Sequence, residues 1–151
     1  MYETDYLHIP KELDWVTERA NCTAYTVFKK LQLEVEKDVK ARQSRIVAHE
    51  GARQIAFRFD VSAELSFAVL REGNGVSSAV FFRLDDETII VRDGINHTVM
   101  SAGLTLNDAG ECVLRVSEPA TDPTKEVELR SWQFRRRALE RLFFDIHPTF
   151  G

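Results

Sequence analysis

The 151-residue chain has few cysteines and no long apolar run, and these absences restrict its class. Its two cysteines, Cys22 and Cys112, lie too far apart in sequence to suggest a disulfide framework or a metal-ligand pair. We therefore expect reduced thiols and a cytoplasmic location. No apolar run approaches the roughly 20 residues that cross a bilayer. The acidic, polar start of the chain is unlike a signal peptide.

The chain also lacks the excess of positive charge that non-specific nucleic-acid binding usually requires. Its formal net charge is −4, so we expect no nucleic-acid partner. The charge is unevenly spread, because residues 130–145 hold five arginines against the two carboxylates of Glu140 and Asp145. This segment therefore carries a net charge of +3, and the rest of the chain carries −7.

Residue patterns that carry catalysis or metal binding are missing as well. The four histidines show no ligand spacing, and the acidic run from Asp85 to Glu87 is typical of a tight hairpin turn. The segment 73–75, Gly-Asn-Gly, indicates a turn rather than a phosphate-binding loop, and no base is positioned beside Cys22. We therefore expect no catalytic residue, no metal and no cofactor.

Residues 10–46 are predicted to be helical, after a loosely ordered arm over residues 1–9. Pro10 suits the first position of a helix, where its missing N–H costs no hydrogen bond. An apolar stripe marks one helix face. Its members are Val16, Ala20, Ala24, Phe28, Leu31, Val35 and Val39, with Ile46 as an extension. An unbroken helix from Val16 to Ile46 would extend about 45 Å, whereas a seven-residue strand covers about 23 Å.

Two arrangements accommodate helical residues over such a length. In the first, the helix breaks at Asn21-Cys22-Thr23, because Asn and Thr favour helix starts. In the second, one straight helix overhangs the sheet and packs on something else, such as a second copy of the chain. The first keeps the apolar stripe within one subunit, and the second would make the protein a homodimer. We favour the break and leave the oligomeric state open.

Residues 54–130 are predicted to form an antiparallel meander of six or seven strands. Asn74-Gly75 is a strong hairpin signal, because both residues tolerate positive φ. We place a three-residue loop at residues 62–64 and a two-residue loop at Asp85-Asp86. The predicted strands are Gln54–Val61, Leu65–Glu72, Ser78–Leu84, Glu87–Arg92, His97–Leu106, Glu111–Glu118 and Glu126–Leu129.

A C-terminal helix over residues 131–146 completes a single α+β domain that spans residues 1–151. We expect the long N-terminal helix to pack on a strongly curved or barrel-like sheet. Side-chain alternation sorts the first four strands into two faces. The predicted cross-strand neighbours are Phe59 and Phe67, Phe57 and Val69, Val69 and Val80, Phe82 and Ile89, and Arg83 and Thr88.

The first face, called the apolar face here, is expected to receive the N-terminal helix. It holds Ile55, Phe57, Phe59, Val61, Phe67, Val69, Val80, Phe82, Ile89 and Val91. Arg71 lies at its end, where we expect the guanidinium to reach water. The second face, called the mixed face, is smaller and more polar. It holds Ala56, Arg58, Asp60, Ser66, Ala68, Leu70, Ala79, Phe81, Arg83, Thr88, Ile90 and Arg92.

The arginines of the mixed face suggest two interpretations. In the first, the face is a half-solvated sheet exterior, partly covered by the C-terminal helix. In the second, it is a concave pocket for an anionic or carboxylate-bearing ligand, because small side chains leave room and guanidinium groups supply forked donors. The candidate ligand-binding residues are Arg58, Asp60, Ser66, Arg83, Thr88 and Arg92.

The C-terminal helix is basic and amphipathic, and its two sides suggest different roles. Its apolar side is predicted to hold Trp132, Leu139, Leu142, Phe143 and Ile146. Arg136, Arg137 and Phe144 lie off that side, either as the solvated flank of a docked helix or as a partner surface. We expect a non-enzymatic intracellular binding module that contacts a protein partner or a second copy of itself. The alternative is a small-ligand binder that uses the mixed face. An enzyme ranks third, with Asp60 and the arginines of that face as its only polar cluster.

Overall fold

The computed structural model describes residues 12–49, 55–73, 76–118 and 122–145. Within these ranges the helices are α1 (Trp15–Asn21), α2 (Ala24–His49) and α3 (Ser131–Phe144). The strands are β1 (Ile55–Ala63), β2 (Ser66–Gly73), β3 (Val76–Asp85), β4 (Thr88–Asp93), β5 (Thr98–Leu106), β6 (Cys112–Glu118) and β7 (Asp122–Leu129). The predicted arm over residues 1–9 and the predicted turn at Asn74-Gly75 lie outside the described residues.

The N-terminal helical segment is broken where Asn and Thr suggested a helix start. The first helix ends at Asn21, and Thr23 begins the second by accepting the N–H of Val27 at its carbonyl and that of Thr26 at Oγ1. Because of this break, Val16 of the predicted stripe is exposed on α1. From Phe28 onward the stripe is buried as predicted, at Phe28, Leu31, Val35, Val39 and Ile46.

The seven strands form one antiparallel sheet in which each strand pairs with its neighbours in sequence. The sheet is not closed or strongly curled, so the expected curved or barrel-like form is wrong. The apolar face has no need of closure, because α2 and α3 both lie against it. The core combines side chains of the two helices with those of that face, such as Phe67, Phe82 and Leu142. Each large side chain buried there contributes roughly 1.5–3 kcal/mol.

Strand register agrees with prediction at one hairpin and differs by two residues at two others. Val69 pairs with Val80, as predicted for β2 and β3. Phe59 pairs with Val69 rather than Phe67, because the turn lies at residues 64–65 and the register shifts after Val61. Phe82 likewise pairs with Val91, because the turn lies at residues 86–87 rather than 85–86.

The other predicted neighbours change with these shifts, but the assignment of faces does not. Phe57 pairs with Arg71 rather than Val69, and Arg83 pairs with Ile90 rather than Thr88. A shift of two residues preserves the side of the sheet on which each side chain lies, because the side-chain period of a strand is two. The apolar and mixed faces therefore keep the membership that alternation predicted.

Helix α3 packs on the apolar face beside α2, so it does not cover the mixed face as one interpretation expected. Leu139, Leu142 and Phe143 are buried as predicted, but Trp132 is 54% exposed and Phe134 is fully buried in its place. The buried side of the helix is therefore rotated relative to the predicted apolar side, because it includes Phe134 and Ala138. Ile146 lies outside the described residues.

The two long helices run in the same direction and are tied at intervals of about one turn along α2. Ser131 Oγ donates to Glu34 Oε1 (2.7 Å), and Arg135 donates to both carboxylate oxygens of Asp38 (3.0 and 3.1 Å). Arg42 Nε donates to the carbonyl of Phe143 (2.9 Å) near the end of α3. These contacts fix the spacing between the helices and so shape the surface between them.

A disulfide bond joins Cys22, just after α1, to Cys112 at the start of β6. The expectation of reduced thiols is therefore wrong. The two cysteines are 90 residues apart in sequence, but the fold brings their Cα atoms to 5.6 Å. A disulfide is also unusual for a protein in the expected cytoplasmic location, because cytosolic thiols are usually kept reduced.

Helix α2 also reaches the first strand of the sheet through a polar contact. The backbone N–H of Phe57, on β1, donates to the side-chain carbonyl of Gln43 at 2.7 Å. Because the donor is half-buried, the contact satisfies a group that would otherwise lose hydrogen bonding to water on folding. Gln43 thus joins the side of α2 to the outer strand of the sheet.

Candidate functional site

The residues predicted to bind a ligand on the mixed face do not converge on one point. Arg83 lies opposite Ser66 and Ile90, and Arg92 lies opposite Phe81. Asp60 lies opposite Ala68, Arg58 opposite Leu70, and Thr88 opposite Asp85, which spreads the six candidates over four strands. The face therefore presents a dispersed set of charges rather than a single cluster.

Each arginine of this set has a local contact. Arg58 Nη1 lies 3.4 Å from Glu72 Oε1, and Arg83 Nη2 lies 3.5 Å from Asp85 Oδ2. Arg92 Nη1 donates to Asn96 Oδ1 at 3.2 Å. The Nε atoms of Arg83 and Arg92 are nevertheless buried and have no hydrogen-bond partner among the described residues. Among the predicted ligand-binding residues, these two N–H groups could each still donate a hydrogen bond to a ligand.

Two other arginines, which sequence reasoning missed or misplaced, are buried at the C-terminal end of α3. Arg71 is 7% exposed and its Nη1 donates to the carbonyls of Leu142 (2.8 Å) and Asp145 (2.6 Å). Its guanidinium therefore binds the end of a helix, rather than reaching water as expected. Arg42 is 8% exposed and binds the carbonyl of Phe143. Cationic donors are favourable at a helix C-terminus, where the last carbonyls lack partners within the helix.

The two buried arginines also contact aromatic rings. The Arg42 guanidinium carbon lies 4.5 Å from the ring centroid of Phe144 and 5.8 Å from that of Phe57. Arg71 lies 5.8 Å from the Phe57 ring as well. Phe57 in turn packs edge-to-face on Phe143 at 5.1 Å. This layer of alternating cations and rings holds Phe144 in place, although that residue is 62% exposed.

A groove of about 790 Å³ lies between α2 and α3, and its lining residues all belong to these two helices. Its floor includes Leu139, and the small side chain of Ala41 leaves space along α2. The exposed rings of Trp132 and Phe144 border it. Its charged lining consists of Asp38, Arg42, Arg45, Arg135, Arg136 and Glu140.

Asp38 illustrates the partial desolvation of this groove. Burial raises the pKa of its carboxyl above the ordinary value, and the neighbouring Arg135 guanidinium opposes that shift without cancelling it. Glu34, on the same helix, adds to the rise. A partly buried carboxylate, whose two oxygens both accept from Arg135 Nη1, ties the two walls of the groove at its middle.

The predicted partner surface divides between two sides of α3. Arg136 and Phe144 line the groove, and Arg136 forms an ion pair with Glu140. Arg137 faces the other side, where it pairs with Glu118 at the end of β6. Trp132 was assigned to the core, so this aromatic residue of the groove was missed. A helical wheel centred on Phe134 and Ala138 would have placed Trp132 outside.

Comparison with known proteins assigns no function to the groove or to the mixed face. No protein-family model, no curated protein and no solved structure matches the chain. In the described part of the chain, no helix is both long and apolar enough to cross a membrane. The same residues contain no group of three or more His, Cys, Asp or Glu side chains arranged to hold a metal ion.

Proposed function

We propose that this domain binds a protein partner through the groove between α2 and α3, and that the occupant is an acidic amphipathic helix. The carrying observation is the exposure of two large aromatic rings, Trp132 and Phe144, at the border of one groove. Trp, Phe and Arg are enriched in protein interfaces, and a buried aromatic anchor often dominates the binding energy.

The shape of the groove favours a helix as its occupant. Its walls are two helices that run in the same direction and are tied by Asp38 and Arg135. A third helix placed between them can insert side chains at positions i, i+3, i+4 and i+7. The small side chain of Ala41 provides the room that such an inserted side chain needs.

The charge of the lining favours an acidic occupant. Four arginines stand against two carboxylates, Asp38 and Glu140, which gives the lining a net charge of +2 in a chain of net charge −4. Arg45 and Arg136 are exposed at the surface of the groove, where acidic side chains of a partner can reach them. Complementary charge of this kind mainly speeds association and selects among partners.

A designed peptide pair tests this proposal directly. One peptide of about 15 residues, roughly 22 Å as a helix, carries Leu and Phe at one face and Glu elsewhere, and its twin carries Lys in place of Glu. We expect the acidic peptide to bind with a Kd of about 1–100 µM and the Lys twin to bind at least about tenfold more weakly. Fluorescence anisotropy measures both, and NMR shift changes map the site.

Matched variants locate the binding. The double variant Trp132→Ser with Phe144→Ser should abolish binding of the acidic peptide. Phe81→Ser, which removes an exposed ring from the mixed face, should leave the Kd within about twofold. Equal binding of the two peptides, no binding of either, or an equal loss with Phe81→Ser would overturn the proposal. So would a dimer in light scattering that the double variant converts to a monomer, because the groove would then hold a second copy.

A second candidate function, a small-anion site on the mixed face, has one specific observation in its favour. The buried Nε–H groups of Arg83 and Arg92 lack partners among the described residues, and Phe81 and Ile90 lie beside them in the sheet. An anionic ligand would satisfy such donors. Thermal-shift measurements with phosphate, citrate and a fatty acid test this candidate. It predicts a raised Tm that Arg83→Ala removes without unfolding the protein, and it fails if no anion raises the Tm.

A further inference from the structure

Helix α1 is the part of the described structure that the core supports least. None of its residues is buried, and Trp15 and Val16 are among the most exposed large apolar side chains. The hydrophobic core begins with Ala24 and Val27 at its margin and Phe28 in its interior. No residue of 12–23 therefore contributes to the packing that holds the sheet and the two long helices together.

The contacts that hold α1 in place meet at a single point on the β5–β6 hairpin. The disulfide joins Cys22 to Cys112, and Glu18 Oε2 accepts the backbone N–H of Cys112 at 2.8 Å. Leu13 lies near Gly110 in the turn between the two strands, with its Cδ2 3.6 Å from the position that a Cβ on this glycine would take. One covalent bond and a small set of weak contacts thus anchor the whole helix.

Neither half of the disulfide is fully buried. Both cysteines are half-buried, and Cys112 lines a surface cleft of about 190 Å³ between the helices and the β5–β6 hairpin. Glu18 and Asn21 form the α1 side of that cleft, and Lys30 lies on the opposite helix. A small thiol can therefore approach a sulfur without prior unfolding of the core.

We infer that the Cys22–Cys112 bond is a redox-controlled latch, which holds α1 on the hairpin when oxidised and releases it when reduced. The thiolate of a dithiol reductant attacks one sulfur, forms a mixed disulfide and displaces the other cysteine as a thiolate, which takes up a proton. The second thiol of the reductant then attacks the mixed disulfide. Two electrons pass to the protein, which gains two cysteine thiols, and the reductant leaves as a disulfide.

The consequence of reduction is local, because the core does not use α1. Release removes Glu18 from the N–H of Cys112 and uncovers the cleft beside Leu104 and Leu114. Helix α2 stays in place, since Phe28, Leu31 and Val35 are packed on the sheet independently of the bond. The latch requires no change in the groove between α2 and α3. An experiment that refutes the latch therefore does not refute the proposed function, and the reverse also holds.

Hydrogen exchange read by mass spectrometry tests the latch on the full chain, with dithiothreitol as the reductant. In the reduced protein and in the Cys22→Ser, Cys112→Ser variant, we expect amides of residues 12–23 to exchange at least about tenfold faster than in the oxidised protein. Tryptic cleavage after Arg19 should accelerate equally. Peptides from α2 and from β2 to β4 should change by less than about twofold at 25 °C.

Three outcomes would overturn the latch. If residues 12–23 keep their protection after reduction, weak contacts alone hold the helix. If the core peptides lose protection together with α1, the bond stabilises the whole fold and is no local latch. Glu18→Gln in the oxidised protein is the matched control, and it should leave exchange of residues 12–23 within about twofold. Release of α1 by that substitution alone would assign the anchoring to Glu18 rather than to the disulfide.

Discussion

Arg71 and Arg83 lie on neighbouring strands of one sheet, but the two faces of the sheet give them different roles. Arg71 is on the apolar face, where α3 covers it and two carbonyls at the C-terminal end of that helix accept its hydrogen bonds. Arg83 is on the mixed face, where its side chain is 43% exposed and pairs with Asp85 within the same strand. The side chain is the same in both cases, and the layer above it decides what it binds.

The phenylalanines of the two faces repeat this contrast. Phe67 is fully buried and stacks on Phe82 with a centroid distance of 4.8 Å. Phe81 is adjacent to Phe82 in sequence, yet it is 42% exposed on the mixed face. Strand alternation assigns a residue to a face, but the stability that the residue contributes depends on whether helices cover that face.

The largest test of this contrast compares Phe67→Ala with Phe81→Ala. The first substitution leaves a cavity among Phe28, Phe59 and Phe82, and we expect it to lower the free energy of unfolding by about 3–5 kcal/mol. The second should cost less than about 1 kcal/mol, because half-exposed surface returns to water. Urea denaturation measures both. Similar losses for the two variants would mean that something also covers the mixed face.

A smaller effect is expected from Arg71→Met and Arg83→Met, which keep an apolar stem and remove the charge. Arg71→Met leaves the carbonyls at the end of α3 without these donors, and we expect a loss of about 2 kcal/mol. Arg83→Met should stay within about 0.5 kcal/mol, because exposed ion pairs contribute little. The same denaturation assay applies, and a larger loss for Arg83→Met would contradict the contrast.

The smallest effect concerns Asp38, between the two helices that cover the apolar face. Because burial raises the pKa of this carboxyl, the folded state holds its proton more tightly than the unfolded state. The stabilisation that the protonated group provides is therefore lost as the pH rises from the ordinary pKa through the raised one. We expect this loss to stay below about 1 kcal/mol, because solvent screens a carboxylate that is a third exposed.

Asp38→Asn, which stays neutral at every pH, isolates that effect. Unfolding free energies of both proteins are measured by urea denaturation at steps across the acidic range. The wild-type value should fall relative to that of Asp38→Asn as the pH rises above the ordinary pKa of an aspartate. If the unfolding free energy of the wild type instead rises relative to that of Asp38→Asn as the pH rises, the Arg135 ion pair outweighs the burial of the carboxyl.

Side-chain alternation predicted the two faces of the sheet correctly, because a hairpin error of two residues leaves every side chain on its own side. Turn positions at residues 64–65 and 86–87 were missed, since several neighbouring polar residues suit a turn equally well. The break near Thr23 followed from local capping chemistry. The Cys22–Cys112 contact did not, because it depends on how residues 90 apart in sequence meet.

The groove was only partly predictable for a similar reason. Arg136 and Phe144 were recognised as exposed from the helical period alone. Arg42 was not considered, because its role depends on the end of α3, which lies 101 residues further along the chain. The rotation of α3, which exposes Trp132, is set by how Phe134 fits against the sheet.

The contact between Gln43 and Phe57 has a consequence for assembly. An open sheet ends in two edge strands whose free backbone groups can recruit strands from other chains and seed aggregation. Gln43 occupies an N–H of β1 and so removes one docking point on that edge. On the opposite edge, β7 contains Pro123, which has no N–H to offer, and the exposed Lys125, whose charge disfavours an incoming strand. Each edge therefore carries a feature that disfavours the addition of a further strand.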